Sequence, residues 1–257
     1  MMKGCSHSLK NLQLQLVVMF FVVVTQGAFA GPFQNLDFES AVIQAAPPNY
    51  VPGDAYDPID AAAALPFWTV REDNTICNAI WGQPAALDET SVALVDTRYS
   101  PIQGNYCVQL YAYADAPSDL FHFASISQVG NLPLGTKTIQ FLVSSPPVAG
   151  GMIEAVPTVS LNGVAINLFA QSTSGGIVTM VGDVSAFVSS LAELKIQCIG
   201  TSGLPGTESE NIFDLDGISF SPNSIPEPTC CEMLLLVFGV WLFRRAVWKR
   251  NEATEQI

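Results

Sequence analysis

The stretch Tyr106-Cys107-Val108-Gln109-Leu110-Tyr111-Ala112-Tyr113 sets Tyr106, Val108, Leu110 and Ala112 against Cys107, Gln109, Tyr111 and Tyr113. Alternation at period two is the signature of a β-strand, whose successive side chains point to opposite faces. The pattern returns in Ile139-Phe141-Val143 and in Leu194-Ile196-Cys198 set against Glu193-Lys195-Gln197. Between such runs stand turn signals: Gly130-Asn131 with Pro133, Gly150-Gly151, Asn162-Gly163, Gly175-Gly176 and Asp216-Gly217. Short runs punctuated every roughly 8 to 12 residues, with little helical periodicity, predict an all-β sandwich or barrel. One interruption, Asp183 to Val188, reads as a helical turn capped by Asp183 ahead of the strand Glu193 to Ile199.

The 257-residue chain carries a formal charge of −13 and is 49% hydrophobic, which suits one ordinary domain. The densest apolar runs lie at the two ends. At the first, Lys3 and Lys10 precede the apolar run Leu16 to Val24, and Ala28-Phe29-Ala30 follows. Basic flank, short apolar core and small residues predict a secretory signal peptide over 1–30, removed by signal peptidase after Ala30. No twin arginine precedes the run, so general secretion is expected.

At the other end Pro226-Glu227-Pro228 is followed by an uncharged run from Met233 to Phe243 and then by Arg244, Arg245, Lys249 and Arg250. This order resembles the PEP-CTERM tail that exosortases read, although Cys230-Cys231 and Glu232 depart from its usual small apolar residues. The prolines hold the approach extended. Fourteen residues from Cys230 would rise only about 21 Å as a helix, against a hydrocarbon core of roughly 30 Å. A transmembrane helix over 230–248 is therefore expected, with the arginines snorkelling and the basic end cytoplasmic. Residues 223–229 become the motif linker and 249–257 the basic tail. The resemblance implies a Gram-negative-type bacterium that makes extracellular polysaccharide. It also implies export, an inner-membrane-anchored precursor, an exosortase-like partner, and delivery to the cell surface or extracellular matrix.

A second resemblance covers the segment between. Asn35-Leu36-Asp37-Phe38-Glu39, the Asp183 turn and Phe213-Asp214-Leu215-Asp216-Gly217-Ile218-Ser219-Phe220 are similar to a carbohydrate-binding-module or galactose-binding-like jelly roll. It implies a jelly-roll β-sandwich over 31–222 in which Glu39 and Asp216 hold a structural calcium ion; a different two-sheet sandwich is the alternative fold. Two carboxylates fall short of the six to eight oxygens calcium takes, so carbonyls and waters would complete such a site. Solvated carboxylates at strand ends are the plainer alternative, and no cofactor is required.

Residues 31–225 hold four basic residues (Arg71, Arg98, Lys137 and Lys195) and nineteen acidic ones, a net charge of −15. Such a surface repels nucleic acid and anionic lipid and suits neutral glycans, divalent cations or solubility alone. Beyond the leader the only histidine is His122, in the strand-like run Phe121 to Ile126, so a histidine metal cage is excluded. A Ser-His-Asp triad would need His122, and no G-x-S-x-G turn is present. A non-enzymatic, structural or glycan-associated protein is expected, with a hydrolase using paired carboxylates as the rival. Glycans stack on aromatic faces, for which Tyr99, Tyr111 and Tyr113 are the candidates; Trp68 and Trp81 read as core. Of the folded part's cysteines, Cys77 and Cys107 are the nearer pair for a disulfide, with Cys198 as another partner or three buried thiols as the alternatives.

Overall fold

The computed structural model describes residues 31–50, 57–84, 91–115, 120–144, 153–154, 157–187, 191–200 and 209–225. Their alternating runs form two sheets. The larger follows the order β1 (Pro58–Asp60), β4 (Ala79–Trp81), β5 (Ser91–Asp96), β6 (Tyr106–Asp115), β16 (Ser209–Ser221), β9 (Thr138–Ser144), β14 (Ile177–Asp183) and β13 (Leu168–Ser174). Beside this path β7 (Leu120–Phe121) pairs with β6 and β10 (Ile153–Glu154) with β16. The smaller sheet runs β12 (Val164–Ala165), β11 (Thr158–Leu161), β15 (Leu191–Ile199), β8 (Phe123–Asn131), β2 (Thr69–Glu72) and β3 (Thr75–Ile76).

Pleat alternation builds the core. Ile139, Phe141 and Val143 of β9, Val108 and Leu110 of β6 and Phe213 and Leu215 of β16 meet Leu194, Ile196 and Cys198 of β15 and Ala124 and Ile126 of β8 in one buried cluster. On β15 the intervening Glu193, Lys195 and Gln197 stay half-exposed. On β6 both faces are buried from Cys107 to Ala112, which a strand with one solvated side would not show. Trp68 and Trp81 are buried, as expected of them.

The jelly roll expected over 31–222 is corrected to a mixed two-sheet all-β domain. A jelly roll has eight strands in two Greek keys. This chain forms a ten-stranded and a six-stranded sheet, and the pairs β4/β5 and β10/β16 run parallel. The flanking transmembrane helix is corrected as well. Among the described residues no helix is long and apolar enough to cross a membrane. The α-helix there, α1 (Ala61–Ala64), starts where Asp60 Oδ1 accepts from Ala63 N and ends at Leu65. The membrane contact and the inner-membrane-anchored precursor thus have no helix to rest on among these residues. The spans assigned to the signal peptide (1–30) and to the C-terminal helix (230–248) lie outside the described residues.

Asn162-Gly163 and Gly175-Gly176 form tight hairpin turns with positive φ at both positions, 50° and 76° in the first and 60° and 84° in the second. Asp216-Gly217 is no turn: it lies within β16, where the register against β9 shifts between Asp216 and Ser219. Gly130-Asn131 ends β8, and the chain reverses just after it, where Thr136 N donates to Pro133 O. Gly150-Gly151 lies outside the described residues. The helical turn expected at Asp183 is a 3-10 turn, Ser185–Phe187, capped by Asp183 Oδ1 accepting from Ser185 N.

Cys77, Cys107 and Cys198 are buried free thiols, so the Cys77–Cys107 disulfide is not formed. Cys77 lies in the main core, whereas Cys107 alternates with Val108, which faces that core, and so points to the other side of the sheet. Burial pushes the Cys77 and Cys198 thiols up to about 12 and raises Cys107 as well, which keeps all three protonated and unreactive.

Phe141 is fully buried between the sheets, whereas Phe169 on β13 is 54% exposed. Urea unfolding of Phe141→Ala is expected to show a loss of about 3–5 kcal/mol. Phe169→Ala is expected to stay within about 0.5 kcal/mol of the parent. Equal losses would contradict the placement of the core.

Candidate functional site

Asn35 and Phe38 adopt left-handed backbone angles, φ 48° and 58°, which non-glycine residues rarely hold without compensation. Here the compensation is visible. Phe38 is completely buried against Trp68, whose indole Nε1 donates to Asn35 O at 3.0 Å, and Asn35 Oδ1 accepts from Ser40 N. With Phe38 driven inward, Glu39 turns outward. Its Oε1 accepts from Asn105 N at 2.7 Å and Tyr106 N at 3.1 Å, and its Oε2 accepts from Asn105 Nδ2 at 2.8 Å.

Asp216 reaches the same loop from β16, accepting from Gln103 N at 2.9 Å and from Gly217 N at 2.6 Å. Between the two anchor points Gly104 has φ 57°, and a Cβ there would come 2.6 Å from Glu39 Cδ. The structure thus brings Glu39 and Asp216 together as a two-point clamp on residues 103–106. Burial pushes Asp216 up to about 6, opposed by its two N–H donors and reinforced by the charges of Glu39 and Asp37. Burial also acts to raise Glu39, but the donors of Asn105 and Tyr106 outweigh it and hold its pKa below the ordinary value. Calcium would have to share oxygens that already face N–H groups. Among the described residues no group of three His, Cys, Asp or Glu side chains is placed to hold a metal ion.

Next on the same strand, Asp214 is buried, with Oδ1 accepting from Gln109 Nε2 at 2.9 Å and Oδ2 from Ser144 Oγ at 3.3 Å. Burial raises its pKa despite these donors. His122 Nδ1 lies 2.9 Å from Asp73 Oδ2, while Asp73 Oδ1 accepts from Phe123 N and the imidazole stacks on Tyr113 at 4.5 Å. These contacts fasten the start of β8 to the turn after β2.

The three tyrosines do not form one platform. Tyr111 is 1% exposed, Tyr113 is half-buried against His122, and Tyr99 is exposed with the Arg98 guanidinium 5.4 Å above its ring. The sorting residues Pro226, Glu227 and Pro228 and the basic residues Arg244, Arg245, Lys249 and Arg250 lie outside the described residues.

The groove that sequence reasoning missed lies beside β13, with a volume of about 1040 Å³. Val181 pairs with Phe169 on one side and Gln140 on the other. Gln140 alternates with the core residues Ile139 and Phe141, so this row faces away from the core. Gly182 lets the preceding link approach, because a Cβ there would meet Ile166 Cγ2 at 2.5 Å. Chain leaving β16 forms another wall, held where Lys137 N donates to Ser221 O and Thr138 Oγ1 to Asn223 O. The rim carries Lys137, Asn167, Gln171, Asp183 and Ser185 around the exposed phenyl of Phe169.

No protein-family model, curated protein or solved structure matches this chain. The groove did leave a trace in the sequence. Leu168-Phe169-Ala170-Gln171-Ser172-Thr173-Ser174 is a polar strand with one aromatic, bounded by Asn162-Gly163 and Gly175-Gly176. Period-two reading picks out apolar faces and passes over such a strand.

The clamp implies a pH response. A carboxyl whose pKa is raised on folding binds its proton more tightly in the native state, so stability falls as pH rises through the folded value. For Asp216 the window runs from 3.8 to about 6, and Asp214 acts in the same direction. Glu39 acts oppositely, its contribution being lost as pH falls below 4.5. Urea titrations between pH 4.5 and 6.5 should show stability falling with pH, with a shallower slope in Asp216→Asn. An unchanged slope would contradict the assignment.

Proposed function

We propose that this is an exported, non-enzymatic protein of the cell surface or extracellular matrix, whose two-sheet domain is structural or glycan-associated. The groove at Phe169 carries the glycan part of that reading: it pairs an exposed aromatic face with amide, hydroxyl and charged groups on one rim. Sugars present the matching surface, apolar C–H faces edged by hydroxyls. Sites for small polar ligands commonly combine an apolar floor with a few placed polar groups.

Three carboxylates at the β16 corner are engaged in holding the chain, which favours a structural role for them. Asp214 and Asp216 spend their oxygens on Gln109, Ser144, Gln103 and Gly217, and Glu39 on Asn105 and Tyr106. The same engagement supports a clamp that needs no cofactor. Export and sorting rest on the leader-like residues 1–30 and on Pro226-Glu227-Pro228, the segment resembling a motif that an exosortase-like enzyme reads.

Two experiments test the proposal. Full-length protein applied to a glycan array and to a panel of chromogenic glycosides is expected to bind without turnover; hydrolysis would overturn the non-enzymatic reading. In the host, Glu227→Ala is expected to alter the size and release of the protein, and unchanged processing would remove the sorting role.

A further inference from the structure

We infer that the groove beside β13 binds a neutral glycan chain, with a sugar ring stacked on Phe169 and its hydroxyls met by Asn167, Gln171 and Asp183. The inference rests on the glycan association proposed above and adds the place and the ligand class.

The place follows from geometry. Phe169 is 54% exposed on the outward face of the sheet, directly beside the buried Val181, so its ring extends an apolar floor rather than standing alone. Asn167 and Gln171 lie two residues to either side of it and also line the groove. Side-chain amides offer both a donor and an acceptor, the combination that a sugar hydroxyl satisfies. Asp183 adds an acceptor held in position by its bond from Ser185 N, and that donor keeps the carboxylate ionised by lowering its pKa. At about 1040 Å³ the groove lies at the upper end of the roughly 300–1,000 Å³ usual for small-molecule sites, which suits an oligosaccharide.

The ligand class follows from charge. Four basic residues face nineteen acidic ones over 31–225, and Lys137, the basic residue lining the groove, shares it with the Asp183 carboxylate. A polyanionic chain would meet net repulsion, whereas a neutral one meets no such penalty. An added peptide strand fits less well. The β13 edge is long and uncharged, but its register shifts between Ala170 and Ser172, and such a bulge bends an edge away from further pairing.

The test is affinity electrophoresis of the full-length chain through gels containing galactomannan, mixed-linkage glucan or hydroxyethyl cellulose, and through gels containing alginate or polygalacturonate. A neutral polymer is expected to retard the protein, with little change on adding salt. Phe169→Ala is expected to weaken that retardation at least tenfold while the melting temperature stays the same. Phe67→Ala, which removes another exposed phenyl that does not line the groove, should bind like the parent. Binding that survives Phe169→Ala would overturn the placement while leaving glycan association intact. Salt-sensitive retardation by the uronates alone would overturn the ligand class. Retardation by none of the polymers would overturn this inference and the glycan-associated reading together.

Discussion

The larger sheet depends on β16, which is hydrogen-bonded along both edges, to β6 over Ser209–Leu215 and to β9 over Asp214–Ser221. Among the described strands it joins β1, β4, β5 and β6 to β9, β14 and β13. It is also the last of the described strands in sequence, so the sheet closes only when this distant segment arrives, a non-local step with a high entropic cost. Its core side contributes Phe213 and Leu215 to the main cluster. The opposite side carries Asp214 and Asp216, whose burial would be unfavourable without the donors that meet every one of their oxygens.

Those donors link β16 to the rest of the chain. Asp216 holds Gln103, Glu39 holds Asn105 and Tyr106, and Ile218 N donates to Leu36 O. The first described segment, the loop before β6 and β16 therefore meet at one corner. A glycine at 104 and a buried Phe38 at positive φ are the local conditions for that meeting. At the far end of the sheet, β13 closes the order of the described strands and carries the outward groove.

How much of this was legible varies with the physics involved. The alternation in 106–113, 139–143 and 193–199 announced strands, because burial of one face writes itself into the sequence at period two. The jelly-roll resemblance singled out Glu39 and Asp216 for a structural calcium ion, and the structure sets both against residues 103–106, where their oxygens accept from N–H groups. Sheet order was not legible, since nothing local tells β16 to insert between β6 and β9 or β4 to run parallel to β5. Tyr111 looked like a binding face only because the second buried side of β6 depends on other strands. Phe169 escaped notice because the residues two places to either side of it, Asn167 and Gln171, are polar and its partner Val181 is twelve residues away. Cys77 and Cys107 are the nearer pair in sequence, but the pleat of β6 turns Cys107 away from the core that holds Cys77, and both are free thiols.

If β16 is a rigid seam and β13 an accessible strand at the end of the described sheet, amide hydrogen exchange on the full-length chain will separate the two. Residues 209–221 are expected among the slowest to exchange, with protection close to that of global unfolding, and residues 168–174 are expected to exchange much faster. Exchange of 209–221 as fast as 168–174 would contradict the seam, and with it the structural basis given for the open groove.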